Sequence, residues 1–188
     1  CIHPEFLKDQ LGRSLERLEL ETLDVCLLHN PEYFFSDAKR QRAGRLEELR
    51  ERFYRRLTEA FAFFEDQVAA GRIAWYGVSS NTAVSPPDDV EATSLARMLD
   101  AAVSAGGPSH HFRVLQVPLN LFESGGVRQD RGDPKAARAV LDLASEAGIA
   151  VLVNRPLNAY AGGKLIRLAD IPVTEAANGP APDETLTR

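Results

Sequence analysis

The apolar positions of this chain fall into two alternating rhythms. Leu7, Leu11, Leu15 and Leu18 recur every three or four residues and predict an amphipathic helix from near Pro4 to near Leu20. Leu23 to Leu28, broken only by Asp24, reads as a strand apolar enough to be covered on both faces, and it closes on His29. Leu46, Leu49, Phe53, Leu57, Phe61, Phe64 and Val68 predict a helix of unusual length, with Gly71 where a left-handed cap belongs. Ile73 to Ser79 is a second strand. Leu95, Leu99, Ala102 and Val103 mark a third helix, stopped by Gly106-Gly107-Pro108. Phe112 to Val117 is a third strand, Pro134 to Ala147 a fourth helix ended by Gly148, and Ile149 to Val153 a fourth strand. The stretch from Asn30 to about Arg45 carries Tyr33, Phe34 and Phe35 without a clear period, which predicts a long loop on the side of His29. Ser85-Pro86-Pro87-Asp88 predicts a turn-rich loop.

Strand starts near Leu23, Ile73, Phe112 and Ile149 lie roughly 50, 39 and 37 residues apart, with one helix in each interval. That is the βα repeat of a parallel α/β protein. The predicted class is α/β, a partial (β/α)8 TIM barrel of about four parallel strands alternating with helices, against the ~250 residues typical of a complete barrel. A doubly wound open sheet is the competing architecture, but no Gly-x-Gly-x-x-Gly turn follows a strand here. Residues 1–170 are expected to form the partial barrel domain. Residues 171–188, rich in Pro, Ala, Thr and Glu, read as a linker-like or unfolded end. The chain starts at Cys1 without an initiator methionine, and the expectation is an excised piece of a longer protein.

Composition narrows the function classes. A formal charge of -5, with Glu47, Glu48 and Glu51 interleaved among the arginines of 40–56, leaves no basic field for nucleic acid. No window approaches the ~18 consecutive apolar residues of a membrane span, and the first residues are polar, so a cytoplasmic protein with no membrane partner is expected. The 2 cysteines make neither a disulfide framework nor a metal-ligand spacing, so no metal is expected and Cys26 reads as a core residue.

His29 is the chief candidate for chemistry, since barrel enzymes place their reacting groups at the C-terminal ends of strands. The bland reading is a hydrogen-bonded structural histidine. Four segments change the weighing: Ser14-Leu15-Glu16-Arg17-Leu18 leading to Leu23-Asp24-Val25-Cys26-Leu27-Leu28-His29; Gly71-Arg72-Ile73 leading to Tyr76-Gly77-Val78-Ser79; Gln116-Val117-Pro118-Leu119-Asn120-Leu121; and Gly148-Ile149-Ala150-Val151-Leu152 leading to Pro156-Leu157. In this order and spacing they resemble the aldo-keto reductase family, (β/α)8-barrel enzymes that reduce carbonyls with NADPH. The resemblance covers roughly residues 5 to 168.

What the resemblance implies is a catalytic-pocket role for His29, which orients a small-molecule carbonyl substrate and assists the proton donor. It implies NADPH as cofactor of the parent protein. It implies that Ser79 and Gln116 hydrogen-bond the nicotinamide carboxamide, each with a turn hydroxyl or a satisfied amide as its bland alternative. Family members commonly have Asn directly after that serine. Here Ser80 stands there and Asn81 follows, so either Ser80 substitutes or the turn shifts by one residue. Asn154 stands where many members stack an aromatic ring on the nicotinamide. Arg155 suits a cofactor phosphate, a carboxylate or a surface ion pair equally. Leu157 and Gly162-Gly163-Lys164 lie where the family approaches the pyrophosphate.

The family's aspartate, tyrosine and lysine precede the first helix and are not among these residues. Neither Tyr33, Tyr54, Tyr76 nor Tyr160 matches the proton donor, so the isolated chain is expected to be inactive. Two other readings stand beside the reductase. One is an aldo-keto-reductase-like nucleotide-binding regulatory or structural subunit without turnover, and the other is an unrelated βα barrel using His29 as a base.

Overall fold

The structure, a computed structural model, describes residues 2–41, 44–86, 88–127, 139–161 and 164–168. Four strands, β1 (Leu23–His29), β2 (Ile73–Ser79), β3 (Phe112–Pro118) and β4 (Ala150–Asn154), form one sheet in the order 1-2-3-4. Every neighbouring pair is parallel. Consecutive parallel order with a helical crossover at each step is the connectivity of a barrel arc, and the fold is a partial (β/α) barrel.

The helices are α1 (Pro4–Leu18), α2 (Tyr33–Arg40), α3 (Leu46–Ala69), α4 (Leu95–Gly106) and α5 (Val140–Glu146). α1 starts where Pro4 follows an N-cap His3, whose Nδ1 accepts the Glu5 amide. α3 aims Phe53, Leu57, Ala60, Phe61 and Phe64 inward, each at most 2% exposed. Phe61 packs on Tyr76 and Phe112 at ring separations of 5.1 and 5.2 Å. Leu28, Val78, Leu115 and Val117 carry this core along the helix-covered face of the sheet.

The strand positions of opposite parity line the other face, which would be the inside of a closed barrel. There Val25 is 39% exposed, Trp75 42% and Leu152 45%. The Arg113 guanidinium lies 5.6 Å from the Trp75 ring centroid. Val114 and Ser79 on the same face are 7% and 2% exposed, so the face is open only in part.

Two expectations change. The loop predicted after His29 contains α2, a helix made by tertiary aromatic packing and not by periodicity: Phe35 is 1% exposed and lies 4.8 Å from the Phe53 ring. The fourth helix, expected from Pro134, is interrupted at Ala139 (φ -58, ψ 145), and its described part is α5 from Val140. Pro134 lies outside the described residues. Beyond β4, β5 (Asn158–Ala161) and β6 (Lys164–Arg167) pair as an antiparallel hairpin. Gly162 and Gly163, and the predicted linker 171–188, fall outside the described residues.

At the N-terminal end of the sheet, Glu65 of α3 gathers three donors. Its Oε1 accepts the Tyr76 hydroxyl at 2.8 Å and the His111 amide at 2.7 Å, and its Oε2 lies 2.7 Å from His111 Nδ1. Burial alone would raise the Glu65 carboxyl, but these hydrogen bonds outweigh it and hold the group below the usual carboxylate range. A carboxyl with a depressed folded-state pKa stabilises above its unfolded value, and that contribution disappears as pH falls through the folded one. Glu65→Gln is therefore expected to flatten the acid limb of a urea-midpoint profile below about pH 4.5. An acid limb identical to wild type would show that the three donors do not favour the ionised form.

Candidate active site

The ladder ends of β1, β2 and β3 set three polar side chains in one row. His29 is the Cα partner of Ser79, and Ser79 is the partner of Gln116. Leu152 continues the row on β4. All four share the parity of Leu27, Gly77 and Val114, so they belong to the inner face at the C-terminal edge of the strands. The Ser79 hydroxyl donates to Gln116 Oε1 at 2.8 Å, which aligns the two side chains. His29 is exposed, Ser79 buried and Gln116 half-buried.

The row stays in register because the chain turns sharply just after it. Asn30 takes a left-handed backbone (φ 47), which asparagine tolerates better than most residues. Its amide donates to the Ser79 carbonyl at 2.8 Å, and the Ser80 amide donates to the Gln116 carbonyl at 2.9 Å. One step back, Gly77 lets β2 approach β3. A Cβ there would collide with the Val114 carbonyl and lie 2.8 Å from Leu27 Cδ2.

Ser80 is fully buried, its hydroxyl 3.0 Å from Thr93 Oγ1 and accepting the Thr82 amide at 3.2 Å. The side chain that reaches toward β1 is instead that of Asn81, whose Nδ2 donates to Asn30 Oδ1 at 3.2 Å. Of the two residues weighed from sequence, Ser80 is engaged within its own loop and Asn81 faces β1.

Asn154 ends β4 beside Pro118, with a buried Oδ1 that has no hydrogen-bond partner. Arg155 has a left-handed backbone (φ 55), and its guanidinium is held by both carboxylate oxygens of Glu123, with Nε at 3.2 Å. Asn120 fastens this loop to the one after β3, donating to Glu123 Oε2, the Arg155 carbonyl and the Asn158 carbonyl. Leu157 is 46% exposed, and its carbonyl accepts the Leu168 amide at 2.8 Å.

The tyrosines are spread among structural and rim positions. Burial, with the Glu65 hydrogen bond and charge, pushes the Tyr76 hydroxyl far above the usual phenol range, so it is no proton donor near neutral pH. Burial also raises Tyr54, which accepts the Ser94 amide. Tyr160 is 57% exposed. Tyr33 lies in a cleft of about 450 Å³ that also has His29, Asn30, Phe34, Arg56 and Glu59 in its walls.

One residue of this region was not picked out from sequence. Glu32 is 1% exposed, and its Oε1 accepts the Asn81 amide at 2.7 Å. Its Oε2 has no partner, an arrangement that costs about 1–3 kcal/mol or more in a buried group. Burial pushes this carboxyl above the usual range, against the hydrogen bond from the Asn81 amide and the charge of His29. The available signal was a carboxylate at the start of α2, but α2 had no periodicity to announce it.

Two solved structures compared with the chain are a Bombyx mori aldo-keto reductase in complex with NADP and a protein provisionally named 2,5-diketo-D-gluconic acid reductase B. Each is 17% identical with a TM-score of 0.48. The comparison covers 98% of this chain and 45% of the silkworm protein, and 82% of this chain and 38% of the other. The chain thus spans less than half the length of either. No curated protein matches. The model of the aldo/keto reductase family matches residues 1–163, which is most of the 188. The chain belongs to the aldo/keto reductase family.

Proposed function

We propose that these residues supply the substrate-orienting and nicotinamide-holding side of an NADPH-dependent carbonyl reductase acting on a small aldehyde or ketone. The observation that supports this reading above others is the row His29, Ser79, Gln116 on adjacent strand ends of the open inner face. Ser79 and Gln116 offer a hydroxyl and a carboxamide already aligned by a 2.8 Å bond, a donor and acceptor set that complements a primary carboxamide such as that of nicotinamide. When bound, the reduced cofactor supplies hydride. Within this chain, His29 binds and orients the carbonyl oxygen at the mouth of the same row and passes a proton toward it. Asn154 Oδ1, buried and without a partner, is a further polar group available at the end of β4.

In the full-length protein that carries these residues, Ser79→Ala and Gln116→Ala are each expected to raise the KM for NADPH about tenfold, with kcat for the carbonyl changed less. Because the two side chains share one hydrogen bond, the double variant should lose less than the product of the single losses. Unchanged cofactor KM in both single variants would remove these residues from the cofactor site.

A second reading, a nucleotide-binding regulatory subunit without turnover, draws on Asn154, which has no π face to stack on a nicotinamide ring. Arg155, engaged by Glu123 in place of a phosphate, favours it too. Saturable NADPH binding without reduction of any of a panel of aldehydes and ketones would select that reading.

A further inference from the structure

Beside the row sits a buried acid that the reading above does not use. Past the last rungs of β1 and β2 the chain leaves the sheet in two separate turns, Asn30-Pro31-Glu32 and Ser80-Asn81-Thr82. Two side-chain links join them: the Asn81 amide donates to Glu32 Oε1 at 2.7 Å, and Asn81 Nδ2 donates to Asn30 Oδ1 at 3.2 Å. Helix capping does not account for Glu32, because it stands at the N-cap of α2 and makes no side-chain cap hydrogen bond. Stability does not account for it either. A carboxyl 1% exposed with one oxygen unpartnered is a poorer filling for that space than an apolar side chain of similar volume.

We propose that Glu32 is a positioning residue, latching the Ser80-Asn81-Thr82 turn onto the end of β1 so that Ser79 is held beside His29 with its hydroxyl turned to Gln116. The latch rests on the reading of that row as a nicotinamide and carbonyl site. It acts on the residue next to Ser79 and not on any reacting atom. Without it, the Ser80 hydroxyl still anchors the far side of the turn to Thr93 and the Asn30 amide still holds the Ser79 carbonyl, but of the two side-chain links between the turns only the thin Asn81–Asn30 contact is left.

The test compares wild type, Glu32→Gln, Glu32→Leu and Asn30→Gly in the full-length protein. The measurements are NADPH dissociation constant, kcat and KM for a carbonyl, melting midpoint, and hydrogen exchange at the Asn81 amide. Glu32→Leu is expected to keep or raise the melting midpoint, weaken NADPH binding about tenfold and speed Asn81 exchange by a similar factor. Glu32→Gln keeps an oxygen acceptor for that amide and is expected within about threefold of wild type on both counts. Asn30→Gly breaks the second link while glycine accepts the left-handed backbone, and a smaller loss in the same direction is expected.

NADPH affinity of Glu32→Leu equal to wild type, or Glu32→Gln as impaired as Glu32→Leu, would overturn the latch. Should Glu32→Leu fail to fold, Asn30→Gly decides, and unchanged affinity and exchange in that variant overturn it. A wild type that neither binds NADPH nor reduces carbonyls defeats the functional reading instead. Asn81 exchange then judges the latch by itself: faster exchange in Glu32→Leu supports it, and unchanged exchange overturns it.

Discussion

His29→Ala in the full-length protein should lower kcat/KM for carbonyl reduction by about 10²-fold or more while leaving NADPH affinity nearly unchanged. The split follows from placement. The imidazole stands at the end of β1 on the open inner face, where a carbonyl can reach it, whereas the groups proposed to grip the nicotinamide are on β2 and β3. Losing the imidazole removes a proton-relaying and orienting group and leaves the Ser79–Gln116 bond intact. Because His29 is exposed, its truncation opens no cavity, and surface changes of that kind usually stay within about 0.5 kcal/mol. A stability assay beside the kinetics separates loss of chemistry from loss of fold. A kcat/KM equal to wild type would take His29 out of the mechanism and return it to the structural histidines.

The second large effect is on folding. Gly77→Ala should destabilise the chain by about 3 kcal/mol, read from urea unfolding. The added methyl meets the Val114 carbonyl, a backbone atom held in the sheet, and Leu27 Cδ2 at 2.8 Å on the other side. A flexible side chain could swing away, but a carbonyl in a ladder moves only with its strand. β2 and β3 must therefore separate near the register shift at Tyr76/Gly77, two residues before Ser79. The Ser79–Gln116 bond should lengthen in step, so cofactor affinity falls together with stability. A loss under about 0.5 kcal/mol, the range of an ordinary surface change, would mean that the close approach is relieved cheaply.

The four strands and the long apolar stripe of α3 were legible because periodicity and glycine stops are local signals. So was the placement of His29 and Ser79, each of which ends an apolar run that could be recognised as a strand, and of Gln116, which lies two residues before the end of one. Their adjacency required the parallel order, and this came from the even βα spacing and the resemblance together. The rest was hidden for one reason: it depends on partners far away in sequence. α2 exists because Phe35 packs on Phe53. Ser80 turns inward because its hydroxyl pairs with that of Thr93, thirteen residues on. Arg155 is engaged by Glu123, thirty-two residues before it. Glu32 is buried because the Asn81 amide meets it from the turn after β2. No helical or strand period links the two halves of any of these pairs.

Trp75 has a practical consequence. It is the only tryptophan in the sequence, and it projects half-exposed from the inner face, with the Arg113 guanidinium over its ring. The intrinsic emission of the chain therefore reports from one address, the wall that a closed barrel would shut off from solvent. Neighbouring strands, a second molecule or a ligand settling against that wall would each register as a blue shift, so the chain carries its own optical gauge of barrel closure.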